Sequence, residues 1–207
     1  MPMNTANKLT LARVFMIPLF LVIVYWGFPG SRYVALGVYI LACLTDLLDE
    51  IPVDACRYFF NAKPETQMEF DLGLAVREDS ENPVYYVQYA HARICSVLKK
   101  LESEGITFNG VDGVDASVLT DPAEQALIRL LAAFPAEIVA AADKYDPARI
   151  TRYCIDVASA YHRFYNACRI MGTEGAVQQG RIALCLAVRG VIRNILTMFK
   201  VSVPETM

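Results

Sequence analysis

Residues 1–45 carry only three charged side chains, Lys8, Arg13 and Arg32, and all three are basic. Residues 9–26 are apolar apart from Thr10 and Arg13, with a proline at Pro18, and a bilayer core is crossed by about twenty such residues. Gly27-Phe28-Pro29-Gly30-Ser31 reads as a turn by composition, and residues 33–48 form a second apolar run slightly short of a full span. The pattern predicts a hydrophobic helical hairpin. Two readings stay open for it: association with a membrane through residues 9–48, or burial within a soluble protein. Lys8 and Arg13 favour a cytoplasmic N-terminus, opposed by Arg32 in the connecting turn. A cleaved secretory signal is disfavoured, because the apolar run is too long and no small-residue cleavage site follows it cleanly.

Beyond residues 44–53 the composition changes. Residues 46–207 carry 16 basic and 22 acidic side chains, spread in helical patterns, so the two sides of this seam look shaped by different solvents. The positive mean hydropathy, +0.33, comes from that mixture. We divide the chain into a hairpin, residues 1–49, and a polar-patterned body, residues 50–207. In the body no segment alternates as a strand would. Pro52 opens a helix to about Phe60. A turn at Lys63-Pro64 precedes residues 68–75, and Asn82-Pro83 opens a long helix over 84–104 with apolar positions 84, 87, 90, 94, 97, 98 and 101. Residues 105–117 read as a glycine-rich loop. Asp121-Pro122 starts a helix predicted to stop near Ala133, Pro135 starts another ending near Tyr145, and Asp146-Pro147 starts a third. The third carries Ile150, Cys154, Val157, Tyr161, Phe164, Cys168 and Met171 on one stripe. A final helix over 177–200 carries Leu184, Val188, Val191, Ile195 and Met198. The expectation is an all-α, antiparallel helical bundle preceded by the hairpin.

The stretch Asn4-Thr5-Ala6-Asn7-Lys8-Leu9-Thr10-Leu11-Ala12-Arg13 and the ending Thr45-Asp46-Leu47-Leu48-Asp49 resemble bacterial phosphatidylglycerophosphate synthases, of the CDP-alcohol phosphatidyltransferase family. That family continues DxxDGxxAR…GxxxDxxxD. Asp46 and Asp49 match its first two carboxylates, Glu50 stands where glycine belongs, and the remaining pair does not follow. Two carboxylates at i, i+3 share a helix face but do not make the four-carboxylate metal site. The resemblance thus implies an incomplete remnant of a metal motif, no metal bound and no transferase activity.

Residues from about 47 to the end resemble the C-terminal anticodon-binding domain of arginyl-tRNA synthetases. Val53-Asp54-Ala55-Cys56-Arg57-Tyr58-Phe59-Phe60, Phe70-Asp71-Leu72-Gly73-Leu74-Ala75 and Glu81-Asn82-Pro83-Val84-Tyr85-Tyr86-Val87-Gln88-Tyr89-Ala90-His91-Ala92-Arg93-Ile94 carry the resemblance. Phe164-Tyr165-Asn166-Ala167-Cys168-Arg169-Ile170 and Val203-Pro204-Glu205-Thr206-Met207 complete it. Because this family often reads Asp-Leu-Leu-Asp-Glu before Val-Asp-Ala, Asp46–Glu50 suits both families, and a join there would leave no scar. The resemblance implies tRNA(Arg) as partner, with ATP and Mg2+ belonging to a catalytic domain. The HIGH- and KMSK-like motifs of that domain do not occur in these residues, so the chain alone is expected to be inactive in aminoacylation and to hold no cofactor. Gly110-Val111-Asp112-Gly113 is no phosphate loop, and no nucleophile–base pair is readable from spacing.

The net charge of −3 excludes a global pull toward polyanions, and nothing points to DNA. Residues 148–207 nevertheless hold 8 basic and 3 acidic side chains, against 8 and 16 in residues 51–147. The basic third suits either an RNA-facing surface or a plain solvated face. Aromatic side chains stack unpaired bases and Arg holds phosphates, so Tyr85, Arg93, Arg163, Asn166, Arg169, Arg193 and the terminal Met207 are the candidate RNA contacts. Arg189, Arg193 and Lys200 fall close to one face of the last helix. Tyr161, Phe164 and Cys168 read as core, Tyr86 and Tyr89 as core or site, and His91 as a packing histidine. The six cysteines lack metal-ligand or disulfide spacing and read as buried thiols in a reducing, cytoplasmic setting. Three functions follow: anticodon-loop binding as part of an arginine–tRNA ligase, a membrane-enzyme remnant, and a helical partner-binding scaffold.

Overall fold

The computed structural model describes residues 5–27, 29–50, 52–63, 70–111, 114–173 and 175–207, with side chains for all of these except 5–14 and 44–50. Two compact units divide at Pro52/Val53. The first consists of α1, Thr5–Trp26, and α2, Ser31–Glu50, packed on each other across the turn that Gly27 and Gly30 make with positive φ. Ala35 is buried between the helices and Phe20 meets Tyr39 with ring centroids 6.5 Å apart. Many outward apolar side chains stay uncovered, among them Phe15, Ile17, Tyr25, Trp26, Tyr33 and Leu36. Cys43 is exposed on α2, which corrects its assignment as a buried thiol. A two-helix hairpin has too little interior to enclose both faces of each helix.

The second unit is a helical bundle: α3, Val53–Ala62; α4, Leu72–Ala75; α5, Pro83–Ser103; a 3-10 turn, Ala116–Val118; α6, Pro122–Lys144; α7, Pro147–Ala167; and α8, Gly175–Met198. No strand occurs among the described residues, as the absence of alternation predicts. The helix starts obey the expected chemistry. Asn82, Asp121 and Asp146 each accept a backbone N–H from the first turn ahead of a proline that needs no such bond. Asp121 and Glu124 close a reciprocal capping box.

The core draws on the predicted stripes. Val84, Val87, Ala90, Ile94, Val97 and Leu101 of α5 are buried, as are Ile150, Cys154, Val157, Tyr161 and Phe164 of α7, with Cys168 just past its end. On α8 the buried face runs through Leu184, Cys185, Val188, Ile192, Ile195 and Leu196, while Met198 is half-exposed. The stripe assigned to α8 is therefore rotated at its end. Met198 lies in the last turn, where Phe199 turns in to meet Tyr58 edge-on at 6.5 Å. Burial pushes the Cys168 thiol up to about 11 and the Cys185 thiol up to about 12, which makes both inert.

One expected boundary is overturned. The predicted break at Pro135 does not occur, and α6 continues through it. A proline inside a helix removes one ladder bond and crowds the preceding turn. Here Tyr153 of α7 donates its hydroxyl to the Leu130 carbonyl at 2.8 Å in that turn, and Phe134 stacks on the Tyr153 ring at 5.8 Å. Packing along α7 and the Glu137–Arg149 ion pair hold the second half in line. The true end is at Tyr145, left-handed with φ 53°, whose N–H returns to Ala141 and Ala142. Among the described residues, α6 is the one helix long and apolar enough to cross a membrane by length and composition. Its ion-paired Glu124 and Glu137 suit a bundle helix better.

Glu124 is 1% exposed, and both its oxygens are engaged. Oε1 accepts from Arg181 Nε at 2.6 Å and Oε2 from the Asp121 N–H at 3.0 Å, while Arg181 Nη1 donates to the Arg169 carbonyl at 2.5 Å. One guanidinium thus ties the start of α6 to α8 and to the chain after α7. Gly180, the preceding residue, lets Leu119 approach: a Cβ there would lie 3.0 Å from its Cδ2. Replacing Arg181→Met is expected to cost about 3–5 kcal/mol by stranding a buried carboxylate. The Glu124→Gln/Arg181→Met double variant should recover part of that loss in urea denaturation.

Candidate nucleic-acid interface

The site begins with Asn82. It caps α5 through its side-chain oxygen, and its Nδ2 donates to the Ala75 and Arg77 carbonyls at 3.2 and 2.8 Å, which fixes the segment after α4 against the first turn of α5. Helical spacing then carries Tyr85, Tyr86, Tyr89 and Arg93 toward α7. From α7 come Ser159, His162, Tyr165 and Asn166.

These side chains line a cleft of about 440 Å³ bounded by Ser80, Tyr85, Tyr86, Tyr89, Arg93, His162 and Asn166. His162 is its hinge: Tyr86 lies 5.1 Å from it centroid to centroid, and Tyr89 stacks on it at 6.0 Å and 27°. The Tyr86 hydroxyl meets Ser159 Oγ at 3.3 Å. Arg93 spreads over the Tyr165 ring at 4.3 Å and the Tyr89 ring at 5.8 Å, with Nη1 reaching the Tyr89 hydroxyl at 3.5 Å. Burial first, and the neighbouring Arg93 second, hold His162 below the ordinary histidine value, so its ring is neutral at pH 7. Its Nε2 is buried without a hydrogen-bond partner. Flat π-faces, a stacked guanidinium and an open mouth make a platform for a planar heterocycle, with Asn166 at the rim able to donate and accept.

Of the candidate contacts, the structure brings Tyr85, Arg93 and Asn166 together here. Arg163 and Arg169 are exposed and line neither this cleft nor the second pocket described next. Arg193 lies on the other flank of α5, in a pocket lined by His91, Cys95, Arg189, Thr197, Val203 and Glu205. Lys200 does not join Arg189 and Arg193: it is past the end of α8 with φ 54°, and its carbonyl accepts from Arg57 Nη1 at 2.5 Å. Met207 is exposed at the chain end. Asp46 and Asp49 fall within α2, and their side chains lie outside the described residues. Sequence reasoning passed over His162 and Tyr165 as contacts. Their signal was there, in an aromatic run Tyr161-His162-Arg163-Phe164-Tyr165 in which His162 turns off the core stripe and Tyr165 sits half-buried at its edge.

The chain matches the family model of the DALR anticodon binding domain over residues 87–207, more than half its length. It belongs to that family. Tyr89, Arg93, His162 and Asn166 of the cleft all lie inside the matched region. A second family model, CDP-alcohol phosphatidyltransferase, matches residues 3–49. The arginine–tRNA ligase of Caldanaerobacter subterraneus is 49% identical over 165 residues, and that of Ruminiclostridium cellulolyticum 47% identical over 165 residues. Both matches cover 79% of this chain, which spans 29% of the length of those relatives. Among solved structures, an arginyl-tRNA synthetase from Campylobacter jejuni aligns with TM-score 0.67 and 29% identity over 79% of this chain and 35% of its own. The Thermus thermophilus arginyl-tRNA synthetase aligns with TM-score 0.65 over 99% of this chain and 32% of its own; at 21% identity it supports the fold alone.

His91, like His162, is held below the ordinary histidine value, chiefly by burial. Both histidines therefore bind protons less readily folded than unfolded, and the unfolded chain gains protons as pH falls through about 6.5. Stability should be full above that pH and decline below it. The lowered carboxyls Glu137 and Glu205 add acid sensitivity only near and below their ordinary 4.5. Urea midpoints at pH 7.5 and 5.5 should show the loss, and His162→Gln should lessen it.

Proposed function

We propose that residues 53–207 bind the anticodon loop of tRNA(Arg), as the anticodon-reading part of an arginine–tRNA ligase. The cleft of Tyr85, Tyr86, Tyr89, Arg93, His162 and Asn166, set in a DALR anticodon-binding fold, carries this reading. Unpaired bases of an RNA loop are recognised by stacking on aromatic and guanidinium faces, with hydrogen bonds to their edges giving selectivity. The surplus of basic side chains in residues 148–207 supplies the phosphate-facing charge. Ligation itself needs the ATP site of a catalytic domain, and the role of this chain in it is recognition.

The hairpin favours a second, compatible role. Its exposed apolar side chains, Phe15, Ile17, Leu19, Tyr25, Trp26, Tyr33, Leu36 and Tyr39 among them, together exceed what water-facing helices usually show. We infer that residues 9–48 seat in a bilayer and that two families' sequences meet at residues 44–53. Flotation with phospholipid vesicles should carry the full chain, and a chain starting at Val53 should stay behind. Equal flotation of both would remove the anchoring role.

Filter binding of tRNA(Arg) and an unrelated tRNA over a salt series tests the main reading. Preference for tRNA(Arg) is expected. Tyr89→Ala and Arg93→Gln should each weaken binding by roughly 5- to 100-fold, the range for losing one stacked base. Very weak and equal binding of both RNAs would defeat it.

A further inference from the structure

The pocket holding Arg193 is separate from the aromatic cleft, on the opposite flank of α5. Its volume is about 430 Å³. Three elements build it. From α5 come His91 and Cys95. From α8 come Arg189, Arg193 and Thr197, at i, i+4 and i+8 on one face. The returning C-terminal segment supplies Val203 and Glu205.

That segment is held along α5. Gln88 Nε2 donates to Asp54 Oδ2 at 3.1 Å and to Ser202 O and Oγ at 3.0 Å, and Lys99 pairs with Glu205 at 3.1 Å. Between them His91, 3% exposed, donates Nδ1–H to the Pro204 carbonyl at 2.8 Å. This bond fixes the tautomer and leaves Nε2 as a bare, buried lone pair without a partner. Leaving such a group unpaired is unfavourable, and native interiors do so sparingly.

The charges are equally unbalanced. Glu205 pairs chiefly with Lys99 and more weakly feels His91 and Arg189. Among the described residues, neither Arg189 nor Arg193 has an ion-pair or hydrogen-bond partner. Two guanidinium groups, a threonine hydroxyl and an unsatisfied imidazole nitrogen therefore converge on one cavity, and the one carboxylate lining it, Glu205, is shared with Lys99.

We propose that this pocket is a phosphate-binding subsite, with Arg189 and Arg193 holding the group by charge-assisted hydrogen bonds. Guanidinium forks match phosphate oxygens, and Thr197 can donate a further bond. His91 completes the set by taking a proton at Nε2 as the anion enters. Without an anion, burial and the two arginines oppose that proton, against the smaller pull of the Pro204 carbonyl and Glu205. An oxyanion between the three reverses the balance and gives the lone pair a use. The phosphate can be a diester of bound RNA, which deepens the anticodon reading, or a free phosphate, which does not depend on it.

The chain has two histidines, so each is resolvable by NMR of histidine-labelled full-length protein in detergent micelles. Inorganic phosphate, added at constant ionic strength, is expected to raise the His91 titration point and leave His162 in place. Arg189→Gln and Arg193→Gln should each weaken phosphate binding on the order of tenfold, and Arg129→Gln, an exposed charge on α6, should not. An anticodon stem-loop RNA then separates the sources. A raised His91 titration point with displacement of free phosphate supports the diester. RNA that fails to bind, or binds without disturbing phosphate at His91, supports the free ion and leaves the subsite standing if the anticodon reading fails. Phosphate that moves neither histidine, that moves both equally, or whose effect survives in the Arg189→Gln/Arg193→Gln variant with an unchanged helical spectrum overturns the proposal.

Discussion

The placement of α5 is the constraint on which the bundle's chemistry depends. Val87, Ala90, Ile94, Val97 and Leu101 bury one face of that helix against α7 and α8, and this leaves two flanks for polar work. One flank meets α7 and becomes the aromatic cleft. The other meets α8 and the returning chain end and becomes the arginine-lined pocket. Rotation of α5 by even one residue, about 100°, would dissolve both. The Asn82 cap matters for this reason: it fixes where α5 starts and which way its first tyrosines point, while holding the 75–77 backbone in place.

The stability of this arrangement rests on a few long-range polar ties inside an otherwise apolar bundle. Tyr58 donates to the Thr151 carbonyl at 2.8 Å, joining α3 to α7. Arg181 satisfies buried Glu124 and joins α6 to α8. Gln88 and His91 hold the chain end to α5. Each tie leaves an expensive orphan if one partner is lost, so each is directional in a way that core packing is not. In the hairpin the described cohesion is apolar, Ala35 buried and Phe20 against Tyr39, and many outward apolar side chains stay exposed.

The sequence made much of this legible. Asn82-Pro83, Asp121-Pro122 and Asp146-Pro147 marked three helix starts correctly, because capping is local chemistry. The stripes on α5 and α7 named the core for the same reason. Reading Pro135 as a terminator goes wrong because its local cost is offset from another helix, by Tyr153, which bonds the Leu130 carbonyl and stacks on Phe134 and which no window around Pro135 contains. Met198 was assigned inward because the helical period was continued one turn too far. Tyr85, Arg93 and Asn166 were singled out as RNA contacts from residue type, and they do share a cleft. The partner that organises them, His162, stands in an aromatic run that the sequence shows, but its stacking on Tyr86 and Tyr89 depends on how α5 and α7 pack.

By itself the sequence determined the helical class, the position of most helices and the apolar hairpin. These follow from periodicity, capping and composition, which act over a few residues. Only the tertiary structure decided which polar groups face each other: Arg93 over Tyr165, Arg189 and Arg193 around His91, and Pro204 accepting from a histidine 113 residues earlier. Such pairings depend on the rotation of whole helices and the return path of the chain end. Both are set by the packing of many buried side chains at once and by no single stretch of sequence.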